Sequence, residues 1–463
     1  MHPGFSCDMA VLISRLKTPE TDLIGPLGWS GLWTSCSVCM SAGLPHEHPR
    51  MPFLNGTVTY ARFAVTGDAP TRIDQTVIDA FAANPARPTP VGVPPGPEAG
   101  WTAGHHILDE NFSIERMAFE GWVHAGMRLD VVRVPPEVRR AYVAIAEQAR
   151  SAAMEEGAPG WLSRTARREA RAEAQRQWEE EVGQGRYRSS KLVPFLWNPA
   201  KRIVLTPATS DAVLAPMRDL FTATFGGRLE PRSSGSLALD MIASQGLLSS
   251  FEDARPDSIG RAPAGGQEGH PEVPWASGGP EPKDFLGNVF LLWLWWRFET
   301  GEGLIDPPNG RPIGITIDRS LESECAWGLN GRQTLTGDGP TSWAESRIAV
   351  ANGKWPRRIG LLVSDGEYDW VCTLQGDRFT VSGLRLPRSE APAETPAEAA
   401  LQRIDSIASF DQALLGLYQT FITERFAPNW PTVRGQIGDW LNARTRGVVA
   451  VEPKVRSETA TEV

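Results

Sequence analysis

The chain has 463 residues, of which 41% are hydrophobic and 22% charged, and its formal net charge is −9. That length allows two or three domains with a sizeable core, and the composition is ordinary for a globular protein. The acidic balance argues against a histone-like polycation, but not against a protein that gathers its basic residues on one surface.

Five cysteines are sparse and odd in number, so no disulfide framework is implied and a reducing cytoplasm fits best. Residues 1–50 differ in character from the rest of the chain. They lack a basic n-region leading into a long apolar core, so they do not read as a signal peptide. They are expected to be a disordered or mis-assigned leader, with Met51 as a candidate start. Cys36-x-x-Cys39 and His46-x-His48 supply zinc-ligand types, but their short spacing is poor for a tetrahedral site, and no metal is expected.

Phe53 to Val65 is rich in Thr, Val, Tyr and Phe and predicts a strand. Asp68 and Pro70 suit the start of a helix with Ile73, Val77, Ile78 and Phe81 on its apolar face. Asn84 to Gly100 reads as loop. Phe119 to Ala125 and Met127 to Val134 read as two strands separated by Gly126. Pro135-Pro136 opens a helix to about Met154, apolar at Val138, Tyr142 and Ile145. His105-His106 reads as a loop pair.

The most informative stretch runs from Ser163 to Thr206. Arg164 to Val182 contains no Gly or Pro and is rich in Ala, Arg, Glu and Gln, which predicts a helix. Arg164, Arg167, Arg168 and Arg171 recur at i, i+3, i+4 and i+7, which places four guanidinium groups on one face. No acid stands three or four residues from any of them, whereas Arg176 has Glu180 within reach. Gly183 and Gly185 end the helix, and Arg186, Arg188 and Lys191 come next. Leu192 to Thr206 predicts a hairpin turning at Asn198-Pro199-Ala200-Lys201. A basic concentration in an acidic chain points to a polyanionic partner, because Lys and Arg displace counterions from phosphates. A second, smaller group is Lys354, Arg357 and Arg358 around Trp355-Pro356.

Ser210 or Asp211 caps a helix that ends at Gly226-Gly227, and Leu237 to Leu248 reads as a short helix. Glu252 to Asp284 is rich in Pro, Gly and Ser and reads as a linker with too little apolar surface to order itself. Phe285 to Phe298 is the most apolar run. It is too short to cross a bilayer, holds Asn288 and nearly ends in Arg297, so a buried core helix and no membrane partner are expected. Ile313 to Ile317 predicts a strand, Arg319 to Glu324 a turn of helix, and Trp343 to Asn352 a helix. Three strands then form a meander with turns at Asp365-Gly366 and Gly376-Asp377. Ser389 to Ala399 reads as linker and Ile404 to Phe426 as helix.

No phosphate loop and no Gly-x-Ser-x-Gly elbow is present, so a nucleotide motor and a hydrolase of that design are not expected. Asp109-Glu110, Asp365, Glu367 and Asp369 are carboxylates of the type a two-metal nuclease uses, but the last three flank a hairpin turn.

From Met51 onward the order of features resembles the bacterial recombination-associated protein RdgC family. The likeness begins with MPFLNGTVTYARF and passes through Gly100-Trp101 and RLDVVRVPPEV. It continues with RTARREARAEAQRQWEEEV, RYRSSKLVPFLWN and KRIVLTPATSDAV. IGITIDRSLES and IAVANGKWPRRIGLLV resemble the family's C-terminal half. The likeness covers most of 51–426 in order, with no single diagnostic motif. The leader, the segment 252–284 and the Trp-rich run are additions to the family pattern. Tyr187 stands where the family has a Phe near the subunit contact, which marks it as a dimer-contact residue.

The resemblance implies an α+β fold, with mixed sheets and flanking helices, in a ring-shaped homodimer. In that family, duplex DNA passes through a basic hole without sequence preference, and the coverage restrains the strand-exchange recombinase. Some members have been labelled exonucleases, for which this sequence shows no residue set.

The expected organisation is therefore a leader at 1–50, an N-terminal DNA-binding α+β part at 51–230, a flexible linker at 231–284, a C-terminal α+β part at 285–390, a helical part at 391–445 and a tail at 446–463. The expected function is non-enzymatic, sequence-independent binding of double-stranded DNA in the cytoplasm, on the nucleoid, without cofactor. The expected contacts are Arg164, Arg167, Arg168, Arg171, Arg186, Arg188, Lys191, Lys354, Arg357 and Arg358. Two rival readings are a metal-dependent exonuclease and an interaction scaffold built on exposed Trp293, Trp295 or Trp296.

Overall fold

The computed structural model describes residues 53–445 apart from 88–97, 154–160, 244, 260–261, 264–270, 277–282, 309, 330 and 389–392. The leader with its Cys36, Cys39, His46 and His48, and the tail, lie outside the described residues.

The first half of the chain supplies β1 (Val58–Gly67), α1 (Gln75–Ala83), β2 (Glu98–Thr102), α2 (Ile114–Met117), β3 (Ala118–Phe119) and β4 (Trp122–Val132). It continues with α3 (Pro136–Ala152), α4 (Arg164–Gly183), β5 (Arg188–Asn198), β6 (Ile203–Thr206), α5 (Asp211–Phe225) and β7 (Gly227–Pro231). The second half supplies α6 (Ser234–Ala243), α7 (Leu248–Glu252), α8 (Phe285–Glu299), β8 (Leu304–Ile305), β9 (Ile313–Cys325) and β10 (Gln333–Gly337). It ends with α9 (Ala344–Ala351), β11 (Lys354–Ser364), β12 (Asp369–Gln375), β13 (Thr380–Arg385), α10 (Pro396–Arg425) and α11 (Trp430–Thr445).

The protein is α+β. Its described strands join one sheet in the order β10-β9-β11-β12-β13-β1-β6-β5-β4-β2, with β3, β7 and β8 attached beside β4, β1 and β9. Every ladder between these strands is antiparallel, so the expected mixed pairing gives way to an antiparallel sheet.

β1 joins the two halves of the chain. It pairs with β13 at Val58 and Tyr60, then with β6 at Ala61–Ala64 and β7 at Phe63–Gly67. Side chains alternate along a strand, so its two faces serve two cores. Val58 and Tyr60 enter the larger core, built on α8 and α10, while Phe63 and Val65 enter a second core with α1 and α5.

Arg62 is buried at this joint, 2% exposed. It pairs with Asp411 of α10, donates to the Phe379 carbonyl at 2.9 Å and lies over the Tyr60 and Phe379 rings. The Tyr60 hydroxyl donates to the same carboxylate at 2.8 Å. Burial, and then the Asp411 charge, push that phenol well above its ordinary range.

α8 is the centre of the larger core. All residues from Phe285 to Trp296 are buried, as an all-round apolar helix must be. Its Asn288 is satisfied internally: it accepts from the Trp275 indole at 3.0 Å and donates to the Pro356 carbonyl at 3.0 Å. A Cβ on Gly287 would stand 2.0 Å from the Gly376 carbonyl oxygen, so only glycine permits this approach. Trp293, Trp295 and Trp296 are 0%, 1% and 7% exposed, which removes the surface that the scaffold reading required. Among the described residues no helix is long and apolar enough to cross a membrane.

Several local expectations are corrected. α1 begins later than Asp68, capped by Asp74, whose carboxylate accepts from the Val77 N–H at 3.2 Å. The two strands expected around Gly126 are the single strand β4. The glycine is needed because a Cβ there would meet Leu192 and Thr102 at 2.7 Å. β9 continues through Arg319 to Glu324 as strand: it bulges at Arg319, which has φ 66° and is exposed, and then Leu321, Ser323 and Cys325 resume the inward alternation.

The segment 231–284 is not simply a flexible linker. It contains α6 and α7, and beyond them Ile259 and Val273 are buried in the larger core. Asp257 accepts from Trp430 at 3.2 Å and pairs with Arg425 at 3.0 Å.

Asp284, at the head of α8, accepts from the Gly235 N–H at 3.1 Å. Burial outweighs its hydrogen bonds and pushes its carboxyl up to about 6. A carboxyl raised in the folded state binds its proton more tightly there than in the unfolded chain. Stability should therefore fall as pH rises from about 4 to about 6, with the full penalty above that window. Asp284→Asn is expected to flatten this part of the melting profile and to raise the melting temperature near neutral pH. An unchanged profile would show that the group does not titrate in the window.

Candidate nucleic-acid interface

α3 and α4 leave the sheet together. β4 runs out at Val132, Pro135-Pro136 turn the chain into α3, and α4 brings it back to β5, where Arg188 lies opposite Val132. The two helices pack chiefly on each other, around Ala146, Ala170 and Ala174 with Tyr142, Val143 and Trp178 alongside. This small core is separate from the two main ones. The pair is thus an arm on the end of the β4–β5 hairpin. At 1.5 Å per residue it is roughly 25–30 Å long, close to one turn of duplex DNA. Alanines spaced four apart in α4 (Ala166, Ala170, Ala174) let the backbones approach. That spacing is a signal of the packing face that can be found in the sequence, though the arginines draw the eye first.

Other contacts fix the arm's geometry. Arg150 of α3 pairs with Glu169 of α4 at 2.5 Å, and the Arg139 guanidinium lies 5.9 Å from the centre of the Trp178 ring. Ser163 caps α4 by accepting from the Ala166 N–H at 3.1 Å. At the base, the Tyr187 hydroxyl donates to Glu181, which also pairs with Arg186. Hydrogen bonds from Tyr187 first, and from Tyr142 next, hold the Glu181 carboxyl below its usual range. Tyr187 is half-buried in the left-handed region, with φ 62°, and its carbonyl accepts from the Arg133 N–H at 3.0 Å. Within this chain it secures the hinge of the arm.

Arg164, Arg167, Arg168 and Arg171 are all exposed on α4, and their side chains form no ion pair or hydrogen bond among the described residues. Nothing in the fold rewards this placement. Like charges at i,i+3 and i,i+4 destabilise a helix by about 0.2–0.5 kcal/mol per pair. Cations in the first turn also oppose the positive end of the helix dipole, and no acid stands there to offset them. Arg176 behaves differently: it pairs with Glu173, not with the expected Glu180.

The remaining expected contacts divide. Lys191 is exposed on β5 with no ion pair among the described residues. Arg188 lies three residues earlier, hence on the opposite face of the strand, with its charge acting on Asp130. Arg186 is engaged by Glu181. The group Lys354, Arg357 and Arg358 is not a free cationic patch. Arg357 is held by Glu324 at 2.6 Å and lies 3.8 Å from Asp377, and Arg358 takes Gln375 at 2.8 Å with Glu322 3.8 Å away. Lys354 is half-buried.

The carboxylates considered for a nuclease have local roles. Asp109 is buried and accepts from the backbone N–H groups of His105 and Asn111. Asp365 accepts from the N–H groups of Glu367 and Tyr368 in the turn, and Glu367 pairs with Arg311 at 2.5 Å. Among the described residues no three His, Cys, Asp or Glu side chains are grouped to hold a metal. His124, which the sequence does not single out, is fully buried beside His105, and burial first, then His105, pushes it down to about 3.

No protein-family model matches the chain, and no curated protein matches it.

Proposed function

We propose that this protein binds double-stranded DNA without regard to sequence, using the arginine face of the α3–α4 arm. The observation that carries the reading is the stripe Arg164, Arg167, Arg168 and Arg171, which is exposed, uncompensated and placed at a cost to its own helix. Guanidinium groups in a row suit backbone phosphates, and contacts of that kind position a protein on duplex without reading bases. Lys191 adds a further cation near the base of the arm.

The finer reading rests on the resemblance to the RdgC family. It holds that two copies form a ring around the duplex, associate with the nucleoid, and restrain the strand-exchange recombinase by covering its substrate. Light scattering at micromolar protein is then expected to give the mass of two chains. A monomer would remove the ring while leaving the arm's chemistry intact.

The direct test of binding is a salt titration on two duplexes of equal length and unrelated sequence. Both should give the same steep decline of log affinity with log salt, by about 0.9 for each phosphate neutralised. Strong preference for one duplex, or a flat dependence, would contradict the proposal. Incubation with end-labelled duplex and Mg²⁺ or Mn²⁺ is expected to leave the ends intact, and their loss would favour the exonuclease reading.

A further inference from the structure

A second basic site lies where the sheet divides. Along one edge of β1 the partner changes from β13 to β7, and Arg62 sits at the change, its carbonyl accepting from the Arg232 N–H at 2.8 Å. The gap opens into a cavity of about 290 Å³ against the first turns of α5. Four arginines line it: Arg62 from β1, Arg218 from α5, Arg232 from the end of β7 and Arg378 from the turn before β13. Asp211 is the only acid among the lining residues, and Thr209, Ser233 and Thr380 add hydroxyls.

Much of this positive charge has no partner in the fold. Arg62 is matched by Asp411 and Arg232 by Asp240 at 3.1 Å. Arg218 and Arg378 form no ion pair among the described residues, and Arg378 is exposed. The Nε atom of Arg218 is buried with no hydrogen-bond partner. A buried N–H left unpaired is costly, and an acceptor in the cavity would relieve it. The N-cap side chain of α5, Ser210, makes no capping hydrogen bond, so the helix also opens unsealed beside the cavity.

We infer that this cavity binds a phosphate group, as a phosphomonoester dianion. A planar carboxylate is met best by one guanidinium fork from one side. A tetrahedral phosphate presents three oxygens and accepts from donors arriving from several directions, and Arg218, Arg232 and Arg378 reach the cavity rim from three different parts of the chain. The site stands apart from the arm and does not depend on the reading of the arm. The phosphate can belong to a small molecule or to the end of a nucleic-acid strand.

The test uses the full chain and calorimetric titration with inorganic phosphate against chloride at matched ionic strength. Wild type should bind phosphate. Arg218→Gln with Arg378→Gln, which leaves the buried Arg62–Asp411 pair alone, should weaken binding by about tenfold or more without lowering the melting temperature in chloride. Arg167→Ala with Arg171→Ala should bind phosphate as wild type does. In that arm variant, competition by a 5′-phosphorylated duplex but not by a 5′-hydroxyl duplex would assign the site to strand ends. Competition by neither, with phosphate still bound, would assign it to a small phosphomonoester. Phosphate binding no better than chloride, equal binding by the Arg218/Arg378 variant, or equal competition by both duplexes would overturn the inference.

Discussion

Asp411→Ala is expected to destabilise the protein by about 3–5 kcal/mol, a large share of the stability of any domain. The carboxylate is the ion-pair partner of Arg62 and the acceptor for the Tyr60 hydroxyl. With Arg62 2% exposed, its removal leaves a guanidinium charge that water cannot reach. The Phe379 carbonyl and two aromatic faces remain around that charge, but none carries a neutralising charge. The double replacement Arg62→Met with Asp411→Leu should recover much of the loss, because an apolar pair of similar volume carries no desolvation penalty. Chemical denaturation of wild type and both variants checks this. Equal losses in the single and double variants would show that hydrogen bonding to the joint matters more than the unpaired charge.

Trp295→Ala should cost about 3–5 kcal/mol as well, by a different route. The indole is 1% exposed, meets Trp440 edge-on with ring centres 5.7 Å apart, and donates to Glu299 at 2.7 Å. Truncation leaves a cavity in a helix whose neighbours on every side are fixed. α8 packs against α6, α10, α11 and strands of the sheet, so little can collapse into the space. Trp295→Phe keeps most of the volume and should lose less. A variant with alanine that melts like wild type would show that α8 does not carry the core.

What is legible in the sequence is what local pattern determines. α3, α4, α8, α10 and the β11–β12–β13 meander arise from periodicity, composition and turn chemistry acting within a few residues. α4 can be read together with its arginine stripe because the stripe depends only on helical spacing. What is not legible depends on partners distant in sequence. Arg357 and Arg358 look free along the chain, but their acids, Glu322 and Glu324, arrive from β9 through the β9–β11 ladder. The composition of 252–284 suggests no order, yet single residues such as Val273 plug into the core, with its N–H bonded to the Ala326 carbonyl at 2.8 Å. A buried Arg62 inside an apolar strand gives no signal of the Asp411 that permits it, 349 residues later. The cavity arginines are likewise scattered from β1 to the turn before β13.

The arm is tested most directly by changing Arg167 and Arg171 to alanine together and repeating the duplex titration over a range of salt. Both side chains are exposed and bonded to nothing else among the described residues, so the variant should fold and melt like wild type. If both touch phosphates, the log–log salt slope should fall by about two, and affinity should drop alike on every duplex. A double variant that binds as tightly as wild type, with the same slope, would show that this face of α4 meets only solvent.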